Sequence, residues 1–276
     1  MVAIFEAEKV APLDADEMLE RVSAIQAPRG SDAFMAQAAH YLQRFSASGH
    51  VIRRHIEAKG GLAEARHTFA PPQTFALALR DGLGLRANVW PRIRPMSGFA
   101  DQETLMYAYD LPHNHDFTFL TVGHHGEGYE TDLYEVDPQA ISGEPDQPVE
   151  MKSRSREQLS EGKVIAFSAY SDVHTQFPPA SLSVSINLVL VGKARGQEQV
   201  FFDTARSVVV GGVEDGAVGR MKLTIDMAAA FPTEETEDML RAVAATSPYA
   251  RLRTAAEGHL ARWRGPFRSE ERRAGA

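Results

Sequence analysis

A mainly β fold flanked by helices is what this sequence predicts, and three observations carry the expectation. Apolar residues recur at helical spacing through roughly the first seventy positions. The period then becomes two, with turn residues returning about every ten positions, and no helical pattern separates these strands. Helical spacing resumes toward the C-terminus. Many short strands without helical crossovers mean an antiparallel sandwich or barrel. The expected division is a helical segment over 1–72 packing on the barrel, a β-barrel over 73–215, and a helical segment with a basic tail over 216–276.

The elements follow in order. Asp14 with Glu17 three positions on resembles a capping box ahead of Met18, Leu19, Val22 and Ile25. Pro28-Arg29-Gly30 breaks that helix, and Ser31 caps a second, with Phe34, Ala38, Tyr41, Leu42 and Phe45 on one face. A third is expected around Val51, Ile52 and Ile56, stopping at Gly60-Gly61. In the β region, Leu83, Leu85, Ala87 and Val89 alternate with Gly84, Arg86, Asn88 and Trp90. Tyr107, Tyr109, Leu111, His113, His115, Phe117, Phe119 and Thr121 share one parity, as on a single strand unless a bulge intervenes. Further strands are expected over 130–136, 164–169, 182–191, 200–203 and 207–210, with the polar, proline-rich 137–161 as a loop holding at most one strand. Thr233 caps a helix with Met239, Leu240 and Val243. Ser247-Pro248 opens the last helix, whose apolar stripe is Tyr249, Leu252, Ala256, Leu260 and Trp263.

Composition narrows the function classes. The 276 residues are 43 % hydrophobic and 24 % charged, with a mean hydropathy of -0.28. No apolar run approaches the roughly 20 residues that cross a bilayer, so no membrane role is expected. The first residues lack a basic region followed by an apolar stretch, which predicts no secretory leader. A formal net charge of -8 argues against nucleic acid as a main partner, and the Arg-rich tail is diluted by Glu270 and Glu271. The chain has no cysteine, so disulfides, thiolate ligands and cysteine nucleophiles are excluded and a cytoplasmic home fits. A metal here would need His, Asp or Glu.

His113-Asn114-His115 is the most informative triplet. Alternate residues of a strand project to one face, so the two imidazoles would point the same way. His174 follows about sixty residues later in a second strand-like run and can add a third. An HxH triplet is common by chance among ten histidines, and surface or hydrogen-bonded histidines are the plain alternative. Neighbours such as Tyr109, Phe117 and Phe119 weigh against it, because burying imidazoles among aromatic rings is costly unless their nitrogens find partners.

The run Leu111 to Phe117, then Gly123 to Gly128 and Tyr129 to Val136, resembles the first motif of the cupin superfamily, and Gly162 through His174 to Asn187 resembles the second. The likeness covers roughly residues 80 to 192 and implies a double-stranded β-helix barrel with its metal ligands in these two motifs. Many cupins place a Glu ligand about four residues after the second His, where this chain has Phe119. Three histidines without a carboxylate are similar to the thiol dioxygenase branch, although the cysteine–tyrosine crosslink of some members is impossible without cysteine. The resemblance implies His113, His115 and His174 as ligands of Fe(II), or of Mn, Ni or Zn, with open positions for a small-molecule substrate and O2.

Around them, Asp116, Asp172, Gln176 or Asn187 can orient the imidazoles, and Ser183, Ser185 and Asn187 form a polar row on one strand face. Arg86, Asn88 and Trp90 share a face and, with Asn187, are candidates to bind an anionic substrate group, unless Arg86 lies outside the barrel. Tyr107 or Tyr109 can supply a hydroxyl for proton transfer, with plain packing as the alternative. His124 and His125 are expected in a hairpin turn, as an extra ligand, a lid or a plain exposed loop.

Together these predict a mononuclear non-haem Fe(II) oxygenase acting on a small polar metabolite, a thiol or an amino-acid-like acid. A 2-oxoglutarate-dependent hydroxylase is the alternative, but that class uses HxD or HxE and an Arg after the distal His, and positions 182–191 contain none. A metal-binding cupin without O2 chemistry, a sensor or isomerase, is the third. The helical segments need apolar partners, either their own barrel or a second copy in a homodimer.

Overall fold

The computed structural model describes residues 2–51, 53, 57, 73–93, 100–192, 198–213 and 216–264. The third helix expected around Ile52 and Ile56, and the tail beyond 264, lie outside them. The fold is mainly β, antiparallel throughout its named ladders, with helices at both ends. The chain divides into two compact units, one of residues 1–136 with 151–193 and the other of 137–150 with 194–276. The last two strands, included in the expected 73–215 barrel, group with the second.

In the first unit, α1 (Ala15–Ser23) starts where Asp14 accepts a hydrogen bond from Glu17 N at 2.8 Å. Helix α2 (Asp32–Ser46) starts where Ser31 Oγ accepts from Phe34 N. Both bury one stripe, including Met18, Leu19, Val22, Phe34 and Leu42. Each such side chain removed from water contributes about 1.5–3 kcal/mol.

The strands of this unit are β1 (Ala3–Phe5), β2 (Thr74–Arg80), β3 (Leu83–Trp90), β4 (Thr118–His125), β5 (Glu130–Glu135), β6 (Lys152–Gln158), β7 (Val164–Phe167), β8 (Asp172–Gln176) and β9 (Ser183–Leu190). Six form a sheet in the order β1-β7-β4-β9-β3-β2, and three form a second in the order β6-β5-β8. The period of two divides the larger sheet cleanly. Leu83, Leu85, Leu120, Val122, Ala166, Ile186 and Leu188 pack with α1 and α2. Trp90, Phe119, Ile165 and Phe167 face the other way and meet Tyr129 and Leu133 of the smaller sheet's side in a second core. The layers are therefore helices, large sheet and small sheet, with the second core between the sheets.

The turn into β5 depends on Gly128. Its φ is +83°, and a Cβ there would lie 1.9 Å from the carbonyl oxygen of Leu159. Only glycine fits both the left-handed backbone and the close approach.

The expected single strand from Tyr107 to Thr121 does not form. Helix α3 (Ala100–Met106) precedes it, and Tyr109 N returns to Thr104 O to close the helix end. Ala108 and Asp110 both sit at φ +55°, which strand geometry forbids, so pairing is broken until β4 begins at Thr118. Among the described residues its backbone pairing with β8 is by isolated bridges, Tyr109 with Gln176 and His113 with His174. His124 and His125 end β4 instead of forming a turn.

The second unit holds a hairpin of β10 (Val200–Asp203) and β11 (Val208–Gly212). Residues 146–149 run beside β11, with Asp146 N donating to Val209 O, Val209 N to Gln147 O and Val149 N to Ser207 O, each at 2.9 Å. Helices α4 (Ala217–Ala229), α5 (Glu234–Thr246) and α6 (Ala250–Arg264) share a core of Val218, Ile225, Leu240, Leu252, Ala256 and Leu260. Thr233 caps α5 by accepting from Thr236 N. No described helix is long and apolar enough to cross a membrane.

Candidate metal centre

The three histidines are brought together. His113 N donates to His174 O at 3.0 Å and His174 N donates to His113 O at 2.9 Å, an antiparallel pair that places both rings on one side. His115, two residues on, presents its ring to the same point. His174 Nε2 lies 3.2 Å from His113 Nε2 and 3.1 Å from His115 Nε2. One ligand atom from each residue falls within 4.8 Å of the others. His113 and His174 are buried and His115 is half-buried.

Aromatic rings wall the cluster. Phe117 and Phe119 flank the His115 ring at 4.8 and 4.9 Å between centroids, and Phe167 lies 4.7 Å from His174. Burial pushes His113 below the ordinary histidine range, offset in part by its bond to the Leu111 carbonyl. Burial also holds His174 well below that range, and the neighbouring His113 adds to the effect. Both imidazoles are therefore neutral near pH 7, the form that ligates a metal.

The neutral rings of His113 and His174 cannot fully satisfy each other at this spacing. His113 Nδ1 lies 2.7 Å from the Leu111 carbonyl, so it carries the proton and its Nε2 is a bare lone pair. His174 has one proton for two buried nitrogens, and its Nδ1 has no hydrogen-bond partner among the described residues. If the proton is on Nε2, Nδ1 is an unmet acceptor; if on Nδ1, it is an unmet donor and Nε2 faces the lone pair of His113. A cation taking the Nε2 lone pairs of His113 and His174 relieves the clash between them and fixes the His174 proton on Nδ1. Metal–nitrogen bonds of about 2.1 Å put cis ligands about 3.0 Å apart at right angles and about 3.4 Å apart in a tetrahedron. The two separations from His174 fall between, while the three ligand atoms as a group, within 4.8 Å, must draw together to reach one ion. The donor set suits a divalent transition metal, and no carboxylate joins the group among the described residues.

The other expected residues divide. Arg86 projects from β3 toward the inter-sheet side, with its guanidinium 5.2 Å from the Phe117 ring that also flanks His115. Its Nε is buried without a hydrogen-bond partner, burial lowers its pKa, and no carboxylate pairs with it among the described residues. Trp90 Nε1 donates to Ser185 Oγ at 2.9 Å, and Thr121 Oγ1 donates to Asn187 Oδ1 at 2.8 Å. Asn187 therefore belongs to a polar row that is spaced across β9, β4 and β3 and does not bond an imidazole. Asn88 accepts from Thr74 at the β2 side. Tyr109 is fully buried and donates to Pro91 O at 2.8 Å, which occupies its hydroxyl, and burial raises its pKa far above the ordinary value. Tyr107 follows α3 and packs beside Tyr109 at 6.0 Å between centroids.

Asp116 is exposed. Asp172 accepts from Ser168 N at 2.6 Å, holding the turn before β8, and burial raises its carboxyl above the ordinary range. His124 lies beside Ser46 of α2, with Nδ1 3.1 Å from the Ser46 carbonyl, on the helical side of the sheet and away from the His cluster.

Two residues escaped sequence reasoning. Tyr129 is buried, its hydroxyl bonds Thr121 and Gln176, and its pKa is pushed up to about 12 by burial, with the Arg86 charge opposing. Asn114 is buried and donates to Tyr170 O at 3.0 Å. Alternation marked Asn114 as pointing away from the histidines, but its partner is a backbone carbonyl 56 residues on, which no sequence pattern reports.

No family model matches the chain, and no curated protein matches it in sequence. Among solved structures it is similar to a hydroquinone 1,2-dioxygenase in complex with Cd2+ and 4-hydroxybenzonitrile, at 12 % identity over 48 % of this chain and 71 % of that one, TM-score 0.30. It is also similar to a salicylate 1,2-dioxygenase from Pseudaminobacter salicylatoxidans, at 9 % identity over 50 % and 32 %, TM-score 0.28. A vicilin from Solanum melongena gives 13 % identity over 65 % and 42 %, TM-score 0.32.

Proposed function

We propose that this chain is a metal-dependent oxygenase of the cupin superfamily, with Fe(II) held by His113, His115 and His174. The observation that carries the reading is the convergence of three buried or half-buried imidazoles, with His174 Nε2 3.1 Å from His115 Nε2 and 3.2 Å from His113 Nε2. When bound, Fe(II) supplies an electron to O2 and open positions for a substrate. Mn, Ni or Zn would be held by the same nitrogens.

The chain's own residues then have distinct duties. The neutral imidazoles of His113 and His174 add no charge of their own, so that of the ion is left for anionic substrate groups. Arg86, a buried cation with no carboxylate beside it among the described residues, supplies a second positive site near the cluster. A small polar substrate carrying a carboxylate, thiol-bearing or amino-acid-like, suits the pair. Trp90, Asn88 and Asn187 shape the polar wall, and Tyr129 is placed between Arg86 and the Thr121–Asn187 row to hold a proton on its hydroxyl at neutral pH. The phenyl rings of Phe117, Phe119 and Phe167 exclude water from the imidazoles.

The test is metal content of protein purified without chelator, followed by O2 uptake against a panel of thiols and amino-acid-like acids. About one iron per chain with substrate-dependent O2 uptake is expected. Uptake that requires 2-oxoglutarate would replace this reading with the hydroxylase one. Bound metal without any O2 uptake would leave a metal-binding cupin of another activity.

A further inference from the structure

We propose that Asn114 is a positioning residue that sets the reach of His115 toward His174. This rests on the metal reading above. The three ligands are not held alike. His113 and His174 are locked to each other by two backbone hydrogen bonds, so their spacing follows from the ladder. His115 is joined to a different place, the turn before β8. Its backbone is tied to Tyr170, whose N–H donates to His115 O at 2.8 Å. Asn114 closes the same junction from the other side, with Nδ2 donating to Tyr170 O at 3.0 Å. Two adjacent residues of the histidine triplet thus grip both the N–H and the C=O of one residue.

That residue is itself held in place. Tyr170 is buried and sits at φ +65°, a left-handed conformation that a non-glycine residue keeps only when its surroundings impose it. The turn is pinned on both flanks, by Ser168 N donating to Asp172 Oδ2 at 2.6 Å and Ala169 N donating to Thr118 Oγ1 at 3.1 Å. It then leads directly into β8 and His174. Asn114, pointing away from the rings, therefore transmits the position of the 168–172 turn to His115. Without the Nδ2–H bond the 114–115 segment loses one of its ties to Tyr170, and the 3.1 Å approach of His115 Nε2 to His174 is held less firmly.

The experiment titrates the apo-protein with Co(II), reading affinity by chelator competition and the visible ligand-field spectrum, with no turnover needed. Asn114→Ala should weaken Co(II) binding about 10- to 100-fold, the range for lost outer partners of a metal ligand, and alter the spectrum. The same substitution in a His115→Ala background should change affinity by less than about twofold, and in a His113→Ala background should keep its full effect, because it acts through His115 alone. Asn114→Leu, close in volume but without the N–H, should behave like Asn114→Ala. If Asn114→Ala does not fold, Asn114→Ser serves, its hydroxyl being too short for the Tyr170 carbonyl. Equal losses in the wild-type and His115→Ala backgrounds, or normal affinity in Asn114→Leu, would overturn the positioning role and leave the metal site standing. A wild type that binds neither Co(II), Zn(II) nor Fe(II) would overturn the metal reading itself.

Discussion

His113 and His174, 61 residues apart, exchange both of their backbone hydrogen bonds, so the two rings are set side by side by the main chain before any ion arrives. The cluster is thus part of the fold, and its chemistry should show in the stability of the metal-free protein.

Metal-free stability should fall in mild acid. Both His113 and His174 have pKa values held below that of a free histidine. Below about pH 6.5 the unfolded chain binds protons that the folded chain does not, so stability drops as pH falls, with a slope of up to about 1.4 kcal/mol per pH unit for each group, until the folded values are passed. Urea unfolding of the apo-protein at pH 7.5 and 5.5 measures this. His174→Gln should flatten the dependence, and an unchanged slope would mean that the rings are not buried as described.

Metal should stabilise the native state. An ion that binds only the folded chain adds about 2.7 kcal/mol at a hundredfold excess over Kd. For a protein of this size that is roughly 5–10 °C in Tm. Differential scanning with and without Fe(II) or Zn(II) under anaerobic conditions reads the shift, which should vanish in His113→Ala and His174→Ala.

Arg86→Met should separate stability from function. A buried cation with no paired carboxylate among the described residues is costly, so its removal should leave Tm unchanged or higher. Loss of a charged hydrogen bond to substrate, about 1.5–3 kcal/mol, should raise KM for an anionic substrate roughly 10- to 100-fold. A sharp fall in Tm at constant KM would mark the guanidinium as structural.

Two glycines at nearly the same φ should respond differently to alanine. Gly30, at φ +82°, has nothing within 4 Å of a built Cβ, so Gly30→Ala should cost only the left-handed backbone, about 1–2 kcal/mol. Gly128→Ala adds a clash with the Leu159 backbone and should cost several kcal/mol by chemical denaturation.

The caps at Asp14, Ser31 and Thr233 and the alternation of β3 were legible because each depends on local chemistry. The three histidines were legible because their parity survives even in a stretch that is only bridged to its neighbour. The strand expected from Tyr107 was not, since Ala108 and Asp110 adopt left-handed backbone that neither residue type announces. For Tyr109, parity alone could not tell a hydroxyl lining a site from one bonded to Pro91 O. The roles of Tyr129 and Asn114 were hidden for the same reason: their partners lie far away in the chain.

The second unit is discontinuous, since residues 137–150 belong with 194–276. During synthesis the stretch that lies beside β11 leaves the ribosome some sixty residues ahead of its partner, and must wait unpaired while β6 to β9 are made. A chain stopped near residue 193 would strand that segment permanently, with the Asp146 and Val149 amides and the Gln147 carbonyl deprived of their partners. Trimming this protein to its histidine-bearing portion therefore requires replacing residues 137–150 with a short turn as well as removing the C-terminal end.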